Sequence, residues 1–304
     1  MAYGKDGNGA GLWVAVGEGA LIAKSLDGNV WTPAADKGGI TSYGFGVAYG
    51  KDNLGAGLWV AVGGGGLIAK STDGNVWTPA ATNTDGSKGG ITDYGYGVAY
   101  GKDGTGAGLW VAVGKGGFIA KSTDGNVWTP AADKGGITGS GRNVAYGKDG
   151  NGAGLWVVVG QGGIIAKSTD GNIWTPAAGS ATNKGGITTQ GRGIAYGKDG
   201  TGAGLWVATG YEGIIAKSTD GNVWTPAATV SGVSGKGGVT APALGVAYGK
   251  DETGTEIWVA VGSGGTIAKS TDGNVWTPAA TVSGVSGKGG ITVGYGVAFK
   301  NEII

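Results

Sequence analysis

"KSTDGNVWTP" fills residues 70–79 and recurs letter for letter at 121–130, 217–226 and 269–278. Near copies stand at 24–33, with Leu26 for Thr, and at 167–176, with Ile173 for Val. Six copies are either six equal chemical groups or one structural device used once per repeat. The residue types favour the device. Asp-Gly is strong turn chemistry, because Asp bonds the turn backbone and Gly accepts positive φ. The Ser hydroxyl can satisfy a neighbouring turn amide, and the Trp two residues past the Asn can wedge into a seam. A buried Trp covers about 150–250 Å², worth at most a few kcal/mol at about 25 cal/mol per Å².

Working outward, the twelve Trp fall into six pairs, 13/31, 59/77, 110/128, 156/174, 206/224 and 258/276, each separated by 18 residues. The Tyr of each "AYG" stands ten residues before the first Trp of its pair, at Tyr3, Tyr49, Tyr100, Tyr146, Tyr196 and Tyr248. Successive first Trp residues are 46, 51, 46, 50 and 52 apart, so length varies only between the second Trp and the next Tyr. Each repeat reads as four short strands, "GVAYG", "LWVAVG", "IIAKS" and "VWTPA", joined by "KDGTGAG", a glycine turn and "TDGN". The runs are β-branched or aromatic and bounded by Gly, Asp and Asn. No segment carries a capped helical period. Four strands per 45–50 residues predict an all-β fold, a six-bladed β-propeller with four antiparallel strands per blade. The repeats are 1–46, 47–97, 98–143, 144–193, 194–245 and 246–296 of a single domain. A closing strand over 297–302 is expected, because "GYGVAFK" (294–300) copies "GYGVAYG" and is longer than the N-terminal copy, so it should win the inner place in blade 1.

Composition narrows the function. Glycine reaches 73 residues, yet 12 Trp and 11 Tyr argue against disorder. Lys+Arg 22 against Asp+Glu 21 leaves no electrostatic footprint for nucleic acid or an anionic membrane. The chain has no Cys and no His, so thiolate chemistry and the commonest general base and metal ligand are missing. No apolar run is long enough to span a membrane and no signal-peptide pattern opens the chain. Compartment is left undetermined.

The run "S-x-D-G-N-V-W" resembles a degenerate Asp-box, the turn of the sialidase-type (BNR) propellers, whose pattern is S-x-D-x-G-x-x-W; here one residue fewer separates Asp from Trp. The wider blade "LWVAVG…GGIIAKSTDGNVW" is similar to photosystem II assembly-factor propellers and to uncharacterised viral and bacterial propellers. The resemblance covers nearly the whole chain and implies the fold. A sialidase needs three Arg for its substrate carboxylate, and this chain has two, Arg142 and Arg192. Of 16 Asp, twelve belong to the repeated "KD" and "STDG" turns, where a structural role suffices. No catalytic residue, metal ligand or cofactor is therefore expected. The "KDGNGAG" loops lack the carboxylates calcium wants, and "VGGGGLI" (62–68) joins strands with no helix after it, so it is no phosphate loop.

The six copies disagree in two places. One is the turn between the second and third strands, carrying Glu18, Gly64, Lys115, Gln161, Tyr211-Glu212 and Ser263. The other precedes the first strand: "SYGFG" (42–46), "DYGYG" (93–97), "GSGRN" (139–143), "TQGRG" (189–193), "APALG" (241–245) and "VGYG" (293–296). In an up-and-down blade both fall on one face, with the constant turns on the other. The candidate binding residues are Tyr43, Phe45, Tyr94, Tyr96, Arg142, Asn143, Gln190, Arg192, Tyr211, Leu244 and Tyr295, rich in types enriched at interfaces. The expectation is a monomeric, non-catalytic binding or adhesion module with one composite surface for a protein or carbohydrate partner, lectin-like without six equal sugar pockets. The competing reading is a purely structural repeat protein: a viral particle component, or a propeller engineered or recently amplified.

Overall fold

Each repeat folds into one four-stranded antiparallel sheet with its strands in chain order, and the six sheets make a six-bladed β-propeller with almost no helix. In this computed structural model residues 1–84, 86–179, 185–228, 239, 242–279 and 295–300 are described. Blade 2 shows the pattern: inner strand Gly44–Lys51, second strand Gly57–Gly63, third strand Ile68–Ser71 and outer strand Thr78–Pro79. The other inner strands are Ala2–Lys5, Gly95–Lys102, Gly141–Lys148, Gly191–Lys198 and Ala243–Lys250. Two compact units make up the chain: unit 1 is Met1–Tyr146, Ser168–Thr175 and Lys300–Ile304, and unit 2 is Gly147–Lys167 and Pro176–Phe299.

Within each unit the blades meet through one repeated interface. In unit 1, Leu58, Val60, Val62 and Ile68 of blade 2 pack on Trp110, Ala112, Ala120 and Trp128 of blade 3. Leu12, Val14 and Ile22 of blade 1 meet Trp59, Ala61, Ala69 and Trp77 of blade 2 in the same way. In unit 2, Leu205, Val207 and Ile215 of blade 5 meet Trp258, Ala260, Ala268 and Trp276 of blade 6. A large aliphatic face thus fills the hollow that two Ala leave between two Trp, which is why the second strands read as unbroken apolar runs. The first Trp also stitches the seam: Trp59 Nε1 donates to Lys5 O at 2.8 Å, Trp110 to Lys51 O at 2.9 Å and Trp258 to Lys198 O at 2.8 Å.

The ten-residue motif is a self-contained turn with one outward bond. Ser71 Oγ donates to Asp73 Oδ1 and accepts from Gly74 N, while the same Asp oxygen accepts from Asn75 N and Val76 N. Gly74 has φ 70°, open to glycine at no steric cost. The second Trp turns back, Trp77 Nε1 donating to Gly74 O at 3.1 Å. Asn reaches out: Asn75 Oδ1 accepts from Ala35 N of blade 1, Asn126 Oδ1 from Ala81 N and Asn274 Oδ1 from Ala228 N. Five of the six copies, those of blades 2 to 6, therefore make the same bond to the preceding blade.

Two expectations need correction. The fourth strand is not "VWTPA" but only Thr-Pro, as in Thr78–Pro79. Val76 N and Trp77 Nε1 are committed to the turn, and Pro cannot donate to a ladder, which confines it to an edge. The inner place in blade 1 goes to the N-terminal copy, not to the C-terminal one: Ala2–Lys5 pairs with the second strand from Ala2↔Val14 to Lys5↔Gly11. Of the expected closing strand 297–302, residues 297–300 carry no strand pairing, and 301–302 lie outside the described residues.

Candidate functional site

The start of each inner strand is built to push one side chain out of register. In blade 2, Gly44 faces Gly63 and Gly46 faces Val62, so Phe45 is an extra, bulged residue. The same shift leaves Tyr96 over in blade 3, Arg192 in blade 5 and Leu244 in blade 6. Arg142 holds the equivalent position in blade 4. The flanking glycines are there for close approach: a Cβ on Gly44 would fall 2.7 Å from Val16 Cβ, and one on Gly46 3.0 Å from Tyr96 O. Between two tightly approached positions, the bulge re-aims the side chain that stands between them.

The two variable connections share an edge of their blades, as their hydrogen bonds require. Gly64 N donates to Tyr43 O and Lys115 N to Tyr94 O, both at 2.8 Å; Tyr211 N donates to Gln190 O at 3.1 Å and Ser263 N to Pro242 O at 3.0 Å.

In unit 1 this edge carries a continuous aromatic cluster. Tyr43 stacks on Phe45 with ring centres 5.6 Å apart, and Phe45 meets Tyr94 and Tyr96 edge-on at 5.7 and 5.2 Å. Tyr94 stacks on Tyr96 at 6.0 Å. The Arg142 guanidinium lies 4.3 Å from the centre of the Tyr96 ring, within cation–π range. Lys115 sits 5.3 Å from the Tyr94 ring centre and pairs with Asp93. That hydrogen bond, with the Asp93 charge, holds the Lys115 ammonium above its usual range. Tyr43 and Phe45 are 40% and 41% exposed. Tyr43 donates to Glu18 Oε1 at 3.4 Å.

In unit 2 the same edge is sparser. Arg192 Nη2 donates to the Tyr211 hydroxyl at 2.8 Å and lies 4.8 Å from its ring centre. Arg192 Nε and Gln190 Oε1 are buried without a hydrogen-bond partner among the described residues. Leu244 is half-buried at its bulge, and Tyr295 is 78% exposed. Asn143 does not join the unit 1 cluster, because its Oδ1 accepts from Val144 N at 2.8 Å in a place where other blades carry glycine. Lys115, Asp93 and Glu18 extend the cluster beyond the residues singled out from sequence. Their signal was present, since Glu18 and Lys115 occupy the variable turn.

The opposite edge of unit 1 holds a cleft of about 730 Å³ lined by Asp6, Lys24, Ser25, Asp27, Asp73 and Asn75 among others. Its carboxylates are already engaged. Asp27 is held below its usual range chiefly by the Val30 and Asn29 amides, and Asp6 accepts from Asn8 N and Ala10 N within its own loop. Among the described residues no three Asp or Glu converge as a metal site would need, and no helix is long and apolar enough to cross a membrane.

No family model matches the chain, and no curated protein matches its sequence. Solved structures do match its fold. A structure of YCF48 bound to D1 peptide superposes with a TM-score of 0.55 at 18% identity, covering 88% of this chain and 76% of that one. The RRP9 WD40 repeats give a TM-score of 0.62 at 12% identity over 98% and 83%. Virginiamycin B lyase from Staphylococcus aureus gives 0.57 at 13% identity over 92% and 83%. At such identities the likeness is one of fold, and it joins peptide-bound, repeat and enzyme propellers alike.

Proposed function

We propose that this chain is a non-catalytic binding module that holds a protein segment on its bulged, variable edge, with Phe45, Tyr43, Tyr94, Tyr96 and Arg142 as the principal contacts. The observation that carries the proposal is the cluster itself. Repeats that are otherwise near-identical place their divergent residues at one structural position, and there they supply touching aromatic rings beside a guanidinium. Aromatic rings and Arg are the side chains that dominate binding energy at interfaces, and exposed rings already in mutual contact lose little freedom on binding. The matching chemistry in a partner is an apolar or aromatic side chain next to a carboxylate, which Arg142 can meet. Arg192 with Tyr211 offers a second contact of the same kind in unit 2. That YCF48 has been solved with a peptide supports a peptide as the partner class, by analogy of fold.

The Ser-x-Asp-Gly-Asn-x-Trp turn, with Asp accepting two amides and Trp closing on Gly, supports placing the chain beside the Asp-box propellers. Among the described residues, no group with the geometry of a nucleophile and its base supports an enzyme reading. Selection from a displayed peptide library, beside a glycan array, tests the proposal. Wild type should enrich peptides that pair an aromatic or aliphatic residue with Asp or Glu, and the Phe45→Ser/Tyr96→Ser variant should enrich none of them. Equal enrichment by both, or by neither, would leave the structural reading in its place; enrichment of glycans alone would replace the partner class.

A further inference from the structure

The C-terminal segment repeats the relation that each inner strand has to the one before it. In unit 2, a Cβ on Gly197 would fall 2.2 Å from Tyr248 Cγ, and one on Gly249 would fall 2.2 Å from Phe299 Cγ. A Cβ on Gly193 would fall 3.1 and 3.0 Å from Gly245 Cα and Val246 N, and one on Gly245 would fall 3.1 Å from both Gly296 Cα and Tyr295 O. Residues 295–299 therefore follow blade 6 in the register by which blade 6 follows blade 5. They take the place an inner strand would have beside blade 6, but they carry no strand pairing among the described residues.

The outer part of the same face is only partly covered. Ile257, Val259 and Ile267 of blade 6 are half-buried, where their counterparts Leu205, Val207 and Ile215 in blade 5 are 4%, 0% and 0% exposed. In the seams between blades 1 and 2, 2 and 3, and 5 and 6 this aliphatic face receives the Trp-Ala-Ala-Trp face of a second and third strand. In unit 1, Trp13 and Trp31 of blade 1 are likewise half-buried, unlike Trp59 and Trp77.

We propose that the blade 6 face, together with residues 295–299, is a docking site for a polypeptide segment of the repeat's own class, a three-stranded piece with the pattern "GLWVAVG…IAKS…VWTP". Phe299 decides the occupant. It already fills the place against Gly249, so a complete incoming blade, with its own Tyr at that place, would clash with it. A blade lacking its first strand fits. It would pair its second strand with residues 295–299 and set its two Trp against Ile257, Val259 and Ile267, the interface used at the other seams.

The test titrates the full chain with a synthetic peptide of residues 108–130 (GLWVAVGKGGFIAKSTDGNVWTP) and with a scrambled control, followed by amide hydrogen exchange and sedimentation. Saturable one-to-one binding is expected, with exchange slowed at least tenfold across 257–261, 267–270 and 295–299. Val259→Lys, at a half-buried site, should weaken binding at least tenfold while leaving the melting temperature of the free chain within about 2 °C, a change of no more than about 1 kcal/mol at roughly 2–4 °C per kcal/mol. A second readout fuses residues 103–132 after Lys300, and this fusion should melt above the parent chain. No binding, protection elsewhere, equal binding of the scrambled peptide or an unchanged melting temperature in the fusion would overturn the proposal. So would protection of the same amides by self-association, which would assign the face to a second copy.

Discussion

Thr209→Val should stabilise the protein, and the repeats supply the controls. Thr209 is fully buried, and its Oγ1 has no hydrogen-bond partner among the described residues. The hydroxyl is directed at the backbone of Gly193, since a Cβ there would lie 2.6 Å from it. Blades 2, 3 and 4 place Val62, Val113 and Val159 at this position, all at 0% exposure, so the site accepts a second methyl without strain. An unpaired buried hydroxyl costs about 1–3 kcal/mol. Removing it should therefore gain about 1–2 kcal/mol, or roughly 2–8 °C at about 2–4 °C per kcal/mol for a domain of this size. The reciprocal change Val62→Thr should lose a similar amount. Tryptophan fluorescence followed through thermal and guanidinium unfolding reads both. If Thr209→Val were neutral or destabilising while Val62→Thr cost nothing, the hydroxyl would have a partner and the account of this interior would be wrong.

Other expectations follow from the seams and turns. Trp128→Ala removes a fully buried ring from the interface of blades 2 and 3 and should cost about 3–5 kcal/mol by denaturant unfolding. Asn126→Ala breaks the bond to Ala81 N, which should cost about 1 kcal/mol while leaving far-ultraviolet circular dichroism unchanged. Acid should destabilise steeply. Burial opposes ionisation of Asp73, Asp124 and Asp272, but turn amides and the Ser hydroxyl outweigh it and hold each below its usual value. Because these folded-state values are depressed, the stability they give is complete above the unfolded value near 3.9 and fades as pH falls through the lower folded values. A melting-temperature profile from pH 6 to 2 should fall mainly below about pH 4, and a flat profile would contradict the turn geometry.

The fold was legible because the repeat made it so. Spacing of Trp59/Trp77 and their five counterparts set the blade count, and Asp-Gly placed the turn between the third and fourth strands. The edge bearing Tyr43, Phe45, Tyr94, Tyr96 and Arg142 was legible too, since divergence within one chain acted as an internal comparison. What pattern could not give was the bulge. Phe45 and Tyr96 read as residues of the connection before the first strand, whereas they lie inside that strand and are left over by the register shift against Val62 and Val113. Pattern also misplaced the C-terminal copy. Two equivalent strand sequences, residues 2–5 and 297–300, looked like rivals for one position, whereas packing against Gly249 gives the second a place of its own. The Asn bond between neighbouring blades was invisible because Asn inside a turn already has a local role.

The measurement that bears most directly on the binding account is calorimetric titration of a library-selected peptide against four proteins: wild type, Phe45→Ser, Tyr96→Ser and Asn8→Ser. The first two substitutions strike the aromatic cluster, and the third lies in an exposed constant loop on the opposite edge. If the variable edge is the recognition surface, each cluster variant should lose about 2 kcal/mol, roughly thirtyfold in affinity, and Asn8→Ser should match wild type. Equal affinity in all four proteins, or loss confined to Asn8→Ser, would contradict it.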